Sequence, residues 1–276
     1  MTVATTLPLT SRLDELPLVF LDLEATGLDP GAGHRVCEVA MLREQAGAEA
    51  GRFISLVAPG CPLDPGAAAV NGLDEAQLAG APPFARVAPA ITALVDDALL
   101  VGHNLCFDLA FLSAELALLG QPALASPGID TFSLARRLLR CRSYSLSALA
   151  AELGLPAPSH RAMADVLATR ALFHHLRGLM ADLGIVTLGD AMRFERGLRP
   201  GVAEPAPPPL IARALAEGRA LRIVYRSRRS PTPTTRIVRP IDLTLEASGV
   251  YLRAFCELRQ NLRVFAIAKI EQIDLA

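Results

Sequence analysis

The sequence predicts an α/β protein followed by a small domain that is mostly β-structure. Four short apolar segments, residues 18–23, 36–42, 52–57 and 99–101, have the length and composition of strands. Helical stretches lie between and after them, and this order favours a mixed sheet covered by helices. Beyond residue 209 apolar and polar residues alternate, which is typical of half-buried strands.

Three helices of the first part are marked by their apolar spacing and end signals. After the fourth strand, leucines recur every three or four residues, at positions 105, 109, 112, 116 and 119. Asn104 is placed to cap this helix. Ser145 is placed to cap a second helix, for which Gly154 is the stop signal. A long third helix is predicted for residues 161–183.

A proline-rich stretch divides the chain. Residues 199–209 read RPGVAEPAPPP and show no apolar periodicity, so we expect an extended, semi-rigid linker. At 276 residues the chain is long enough for about two domains. The sequence therefore predicts one domain over residues 1–198 and a second over residues 210–276.

Composition excludes several classes of protein. Hydrophobic residues make up 51% and charged residues 20%, and no apolar run approaches the ~20 residues of a membrane span. The N-terminus lacks the features of a secretion signal, so a cytoplasmic location is expected. The five cysteines are odd in number and never form C-x-x-C, which argues against a disulfide framework and against a zinc site.

Charge is unevenly distributed along the chain. Residues 201–276 carry 12 basic and 7 acidic side chains, a net charge of +5, and residues 1–200 carry 15 and 21, a net charge of −6. The acidic part must therefore either avoid phosphates or hold cations.

Two carboxylates end the first predicted strand. Asp22 and Glu24 are two residues apart in an otherwise apolar segment, so their side chains point to the same face. Adjacent like charges are unfavourable unless a cation lies between them, and oxygen ligands suit Mg²⁺ or Mn²⁺. The alternative interpretation is a solvated strand end.

A third carboxylate, Asp108, lies one turn into the helix that follows the fourth strand and borders its leucine stripe. It is expected to face the edge of the sheet. Alternatively, Asp108 is a first-turn acid that the helix dipole favours, and the neighbouring His103 and Asn104 are a turn residue and a cap.

A histidine and an aspartate five residues apart form the last motif. His160 and Asp165 cannot share a face of one continuous helix, so His160 is expected on the preceding loop, which Pro156 and Pro158 favour. There the histidine is free to reach a bound water, while the helix fixes Asp165. A surface histidine without a role is the alternative.

Together these motifs resemble the DEDDh family of 3′→5′ exonucleases, which includes proofreading subunits of replicative polymerases, RNase T and oligoribonuclease. The matching blocks are DLEATG at 22–27, GHNLCFD at 102–108 and HRAMAD at 160–165. The resemblance implies an RNase H-like mixed sheet with flanking helices. It also implies two divalent cations, Mg²⁺ or Mn²⁺, and a general base, His160. The implied cation ligands are Asp22, Glu24, Asp108 and Asp165.

The resemblance also implies contacts with the terminal nucleotide and a product, the nucleoside 5′-monophosphate. The implied nucleic-acid contacts of this domain are Thr26, Gly27, Leu28, His103, Asn104 and Phe107. Ala25 departs from the family pattern, in which threonine is common, and little effect on metal binding is expected because Ala25 supplies no ligand.

The leading hypothesis is a metal-dependent exonuclease that acts on DNA, at single-stranded or frayed 3′ ends. An RNA-directed 3′→5′ exoribonuclease stays open as an alternative. So does a regulatory protein that binds nucleic acid without cutting it, although the complete set of acids and His160 disfavours this alternative. A polymerase or repair partner is compatible with the family.

Residues 208–276 contain a second set of motifs: Tyr225, RIVRP at 236–240, GVYL at 249–252, Cys256 and RVF at 263–265. These motifs resemble the WYL domain of bacterial regulators and nucleic-acid enzymes, and the resemblance implies an SH3-like or Sm-like β-barrel. Val250 stands in place of the tryptophan that names the domain, and Lys269 in place of a usual arginine. Arginines of this domain are expected to contact phosphates, or alternatively to form a soluble face. They are Arg222, Arg226, Arg228, Arg229, Arg236, Arg239 and Arg263.

Overall fold

A computed structural model describes residues 7–227, 232–259 and 261–276. The chain forms two compact units, Met1–Glu195 and Arg196–Ala276. The division falls shortly before residue 198, where the first domain is predicted to end; the predicted limits of the domains and of the linker stay a prediction.

The first unit is built on a five-stranded mixed sheet with the order β3-β2-β1-β4-β5. The central strand β1 pairs antiparallel with β2 and parallel with β4, while β2–β3 is antiparallel and β4–β5 parallel. The strands are β1 Leu18–Ala25, β2 Val36–Gln45, β3 Ala48–Leu56, β4 Leu99–Gly102 and β5 Gly128–Asp130. The carboxyl ends of β1, β4 and β5 therefore meet at one edge of the sheet.

Helices cover both faces of this sheet. They are α1 Pro65–Asn71, α2 Glu75–Ala79, α3 Phe84–Val95, α4 Leu105–Leu118, α5 Thr131–Leu138, α6 Leu146–Leu153, α7 Ala162–Asp182 and α8 Leu188–Glu195. Side chains of β1 alternate between the faces: Phe20 packs with Phe173 of α7, and Leu21 lies in the core cluster that contains Phe111 of α4. Asp22 and Glu24 therefore continue the face of Phe20, toward α7.

The second unit is a five-stranded antiparallel sheet with the order β10-β6-β7-β8-β9. Helix α9, Pro209–Glu217, adds Ile211 and Ala214 to its core. The strands are β6 Leu221–Tyr225, β7 Thr234–Glu246, β8 Gly249–Cys256, β9 Asn261–Ala266 and β10 Ile270–Leu275. The expected mostly-β domain is confirmed, and the closure of its sheet into a barrel stays a prediction.

The helix signals have mixed outcomes. Ser145 caps α6, because its hydroxyl accepts a hydrogen bond from the Ala148 amide at 3.3 Å, and Gly154 ends the helix with a left-handed backbone (φ 64°). Asn104 takes the N-cap position of α4, but the prediction that its side chain caps the helix is wrong. Its backbone is left-handed (φ 66°), and its amide N–H donates to Asp130 instead. No helix among the described residues is long and apolar enough to cross a membrane.

Candidate active site

Three of the predicted acidic residues form one cluster at the carboxyl end of β1. Each of Asp22, Glu24 and Asp165 offers one carboxylate oxygen, and the three oxygens lie within 4.8 Å of one another. Asp165 stands in the first turn of α7, where its Oδ1 accepts hydrogen bonds from the amides of Ser159 (2.8 Å) and His160 (3.2 Å). These bonds hold Asp165 toward the strand end.

Asp108 lies beside this cluster. Its side chain is buried in the first turn of α4, and its Oδ1 accepts a hydrogen bond from the Leu23 amide at 3.0 Å. The bond joins α4 to β1 at the residue between Asp22 and Glu24. Asp108 is therefore adjacent to the three clustered carboxylates, although it does not belong to the group that lies within 4.8 Å.

The electrostatics of the cluster favour a bound cation. Burial raises the pKa of Asp22 well above its usual range, and the charges of Asp108, Asp165 and Glu24 raise it further. Burial, with the charges of Asp165 and Glu38, raises the pKa of Glu24 to about 8. Burial likewise raises the pKa of Asp108 and of Asp165. Crowded carboxylates that would otherwise retain protons are a donor set that fits hard divalent cations.

His160 lies on the loop before α7. Its backbone is left-handed (φ 54°), its side chain is exposed, and its positive charge, when present, lowers the pKa of Asp165. The imidazole is thus next to the carboxylate cluster and accessible to water.

An ion pair between an exposed arginine and a buried glutamate, which was not predicted, anchors this loop. Arg161 follows His160 and makes two hydrogen bonds to Glu38 of β2, from Nε at 3.1 Å and from a terminal nitrogen at 2.9 Å. Glu38 also accepts a hydrogen bond from the Ala162 amide at 3.2 Å, and its side chain is only 2% exposed. In the register of β1 and β2, Glu38 lies opposite Glu24. The available sequence signal was an isolated acid within the apolar strand VCEVAML.

The turn predicted to contact the nucleotide, residues 26–28, contains both buried and exposed residues. The Thr26 side chain is fully buried, and its hydroxyl accepts a hydrogen bond from the Arg35 amide at 2.9 Å. A Cβ on Gly27 would lie 2.5 Å from the His34 ring, so a larger residue would displace that ring. Leu28 is 85% exposed. Substrate contacts by this turn are therefore available to its backbone and to Leu28, not to the Thr26 side chain.

His34 and His174 are partly buried, and both have partners within the protein. The Nδ1 of His34 accepts a hydrogen bond from the Asp29 amide at 3.0 Å, and its Nε2 lies 3.3 Å from Asp64. His174 lies 3.1 Å from the buried Glu44, which also accepts from Arg170 at 2.6 Å. Each histidine therefore links two segments of the fold: His34 lies against Asp64, and His174 against Glu44.

The GHNLCFD block at 102–108 likewise contains both buried and exposed side chains. His103 is largely buried, with Nδ1 2.9 Å from the Thr131 hydroxyl and Nε2 3.0 Å from the Tyr144 carbonyl oxygen. Both ring nitrogens thus have partners inside the protein, and contact of His103 with nucleic acid stays a prediction that these bonds do not support. Asn104 is exposed, and Phe107 is partly buried against Phe111 (ring centroids 4.9 Å).

The predicted arginine surface of the second unit is partly neutralised. Arg226 forms an ion pair with Glu271, and Arg239 pairs with Glu257 at 3.1 Å. Arg236 donates to the Thr234 hydroxyl at 3.1 Å. Arg222 and Arg263 have exposed side chains on β6 and β9. Arg228 and Arg229 lie outside the described residues, and phosphate binding by this surface stays a prediction.

Clustered carboxylates at the end of the central strand of a mixed α/β sheet are typical of phosphodiester-cleaving enzymes that use divalent cations. Residues 19–173 match the family model described as Exonuclease, and residues 209–275 match the model of the WYL domain. The chain belongs to the exonuclease family and carries a WYL domain after the exonuclease domain. The expected RNase H-like fold and enzyme class are thereby confirmed.

Several relatives carry DNA polymerase III in their names. The chain is 36% identical over 186 residues to the DNA polymerase III subunit epsilon-like protein of Rhodobacter capsulatus, covering 65% of this chain and 26% of the relative. It is 30% identical over 182 residues to the DNA polymerase III subunit epsilon of Aquifex aeolicus, covering 65% of this chain and 90% of that subunit. It spans only 26% of the length of the Rhodobacter protein, and 14% and 13% of the lengths of two Thermotoga PolC-type polymerases.

The fold is similar to that of exonuclease X in complex with 5′ overhanging duplex DNA. The sequence identity is 27% and the TM-score 0.50, over 63% of this chain and 98% of exonuclease X.

Proposed function

We propose that this protein is a 3′→5′ exonuclease that releases nucleoside 5′-monophosphates from DNA, with two divalent cations and His160 as the general base. The observation that carries the proposal is the cluster of Asp22, Glu24 and Asp165 within 4.8 Å. The polarity, the products and the choice of DNA go beyond membership of the exonuclease family.

Asp22, Glu24, Asp165 and the adjacent Asp108 would hold the cations, Mg²⁺ or Mn²⁺. When bound, the cations would lower the pKa of the attacking water and stabilise negative charge on the phosphodiester oxygens. The carboxylates would hold the cations at defined positions, because two of them are themselves restrained. The Leu23 amide restrains Asp108, and the amides of Ser159 and His160 restrain Asp165.

His160 accepts the proton of the attacking water in this proposal. It lies beside Asp165 on an exposed loop, where it would be accessible to water and to a bound phosphodiester. The anchor between Arg161 and Glu38 limits the motion of the loop, which keeps the imidazole near the carboxylate cluster.

The choice of DNA is supported by the relatives. Several of them carry DNA polymerase III in their names, and exonuclease X was solved with duplex DNA. Leu28, exposed in the turn after β1, and Phe107 offer apolar surfaces for the terminal nucleotide. A partner polymerase and a cytoplasmic location belong to the same proposal, and the WYL domain is proposed to hold the strand through Arg222 and its neighbours.

The experiment is digestion of four 5′-labelled substrates of one sequence: single-stranded DNA, paired duplex, duplex with a mispaired 3′ end, and RNA. Each is incubated with Mg²⁺ or with Mn²⁺, and Asp22→Asn is the control. The proposal expects DNA strands with free or mispaired 3′ ends to be shortened fastest. Faster degradation of RNA would identify an exoribonuclease, and binding without shortening would identify a regulatory protein.

A further inference from the structure

Four of the arginines in the exonuclease unit lie within seven residues. Arg136 and Arg137 are in the last turn of α5, and Arg140 and Arg142 follow the end of the helix. No acidic residue occurs between Asp130 and Glu152. Residues 136–142, here called the arginine segment, are therefore a basic stretch in a unit whose net charge is negative.

Three of these arginines differ from most other exposed arginines in having no acidic partner. Arg136, Arg140 and Arg142 are exposed, and none forms an ion pair with a carboxylate in the described ranges. In contrast, Arg12 pairs with Asp14 at 3.0 Å and Arg52 with Glu49 at 2.7 Å. Arg137 is engaged elsewhere, since its Nε donates to the Glu195 carbonyl at 2.7 Å. The helix dipole accounts for a cation at position 136, but not for those beyond the helix end.

Tyr144 connects the arginine segment to the end of β4. Its hydroxyl donates to the Leu139 carbonyl at 3.0 Å and accepts from the Cys141 amide at 3.4 Å, which fixes the backbone of the segment. Its own carbonyl oxygen lies 3.0 Å from Nε2 of His103, the residue that follows β4. The backbone of the arginine segment is thus fixed to the strand that leads into α4 and Asp108.

A second contact runs through α5. The Phe132 ring packs edge-on against His103, with centroids 5.8 Å apart, and the guanidinium of Arg136 lies 5.9 Å from the centroid of the Phe132 ring. Both routes end at the edge of the sheet where the carboxylate cluster lies. Exposed guanidinium groups without acidic partners, held on a fixed backbone, are suited to binding phosphate oxygens.

We propose that Arg136, Arg140 and Arg142 form a phosphate-contacting surface that holds the nucleic-acid strand beside the candidate active site. The inference rests on the proposed nuclease function and assigns to the exonuclease unit its own strand contacts, in addition to any made by the WYL domain. The ligand is the sugar-phosphate backbone, so the surface does not distinguish among bases.

The test compares the full-length protein with two triple variants. In the first, Arg136, Arg140 and Arg142 are replaced by glutamine. In the matched control, three exposed arginines that already pair with acids are replaced, Arg12→Gln, Arg52→Gln and Arg213→Gln. Both variants lose three positive charges, and circular dichroism checks that both are folded.

Two quantities are measured: the salt dependence of binding to a 30-nucleotide single strand in EDTA, and the cleavage of the p-nitrophenyl ester of thymidine 5′-monophosphate with Mn²⁺. Each lost phosphate contact lowers the log–log salt slope by about 0.7, so a loss of about 2 is expected for the first variant and none for the control. Cleavage of the small ester should be unchanged, because it has no strand to contact.

Equal log–log salt slopes for the two variants would overturn the proposal. An acidic protein would then be the next class of ligand to test. A first variant that loses ester cleavage would also overturn it, since the arginines would then act in the active site itself. If the wild type with Mn²⁺ cleaves neither the ester nor the 30-nucleotide strand, the proposed function fails. The salt slopes, measured without metal, still test whether the three arginines contact the strand.

Discussion

Arg161 and Glu38, 123 positions apart in the sequence, form a two-bond ion pair that joins the His160 loop to the strand next to β1. Glu38 is nearly inaccessible to solvent, whereas the Arg161 side chain is 47% exposed. The buried Glu38 therefore holds the loop to β2, while the outer side of the loop stays accessible to substrate.

The Glu38→Gln variant should lose both stability and turnover. A buried carboxylate that accepts three hydrogen bonds is replaced by a neutral amide, so a loss of about 1–3 kcal/mol in unfolding free energy is expected. Displacement of the loop should lower kcat about 10-fold to 100-fold with a smaller change in KM. Urea unfolding and steady-state kinetics measure both effects. Glu49→Gln, which breaks the exposed pair with Arg52, is the control and should change stability by less than about 1 kcal/mol.

Replacement of a clustered carboxylate should lower activity and, without metal, raise stability. We expect Asp22→Asn and Asp165→Asn to lower cleavage by ~100-fold or more, because each removes a charged ligand. Without metal the same variants should unfold at a higher temperature than the wild type, because repulsion within the cluster is relieved. A variant that retains more than about a tenth of the wild-type rate would contradict the assignment of the metal ligands.

His160→Ala should reduce kcat by roughly 100-fold or more and leave KM nearly unchanged, because a general base acts in the transition state. Partial recovery of the rate is expected as the pH rises. His175→Ala, which removes an exposed histidine of α7, is the control. If His160→Ala weakened binding at unchanged kcat, His160 would be a substrate contact and the base would lie elsewhere.

The metal-free protein should become less stable as the pH rises from about 4.5 to about 8. Glu24 has a folded-state pKa of about 8, above its usual 4.5, so its protonated form stabilises the fold below pH 4.5 and this contribution is lost as the pH passes 8. Asp22, Asp108 and Asp165 shift in the same direction. A loss of about 2 kcal/mol would lower the melting temperature by roughly 4–8 °C.

Thermal melts in EDTA at pH 5.5, 7 and 8.5 measure this slope. Added Mg²⁺ should raise the melting temperature more at pH 8.5 than at pH 5.5, because binding releases the retained protons. Glu24→Gln should flatten the slope. A wild type whose stability in EDTA is constant or increases over this range would contradict the raised pKa values.

Local patterns allowed much of the exonuclease unit to be predicted. The alternation in β1 put Asp22 and Glu24 on one face, and the helix signals around Ser145 and Gly154 mark α6 as observed. The three blocks at 22–27, 102–108 and 160–165 supplied the candidate site residues, because each lies next to a recognisable strand or helix.

Features that depend on distant contacts were not predicted. Strand β5, Gly128–Asp130, is too short to show alternation, yet Asp130 binds the Asn104 amide at 2.7 Å. The burial of Thr26 results from its bond to Arg35 and from packing by Cys61, neither of which the DLEATG block reveals. Glu38 was overlooked for the same reason, since its partner Arg161 lies in a different motif.

The most direct test of the central claim, a 3′→5′ exonuclease site built on the carboxylate cluster, is digestion of one single-stranded DNA labelled at either end. With Mg²⁺, the 5′-labelled strand should give a ladder of progressively shorter products, and the 3′-labelled strand should release labelled nucleoside 5′-monophosphate from the first turnover. EDTA and Asp165→Asn should abolish both patterns. Release of the 5′ label as a mononucleotide from the first turnover, before shortened strands accumulate, would contradict the account, and so would an unchanged ladder from Asp165→Asn.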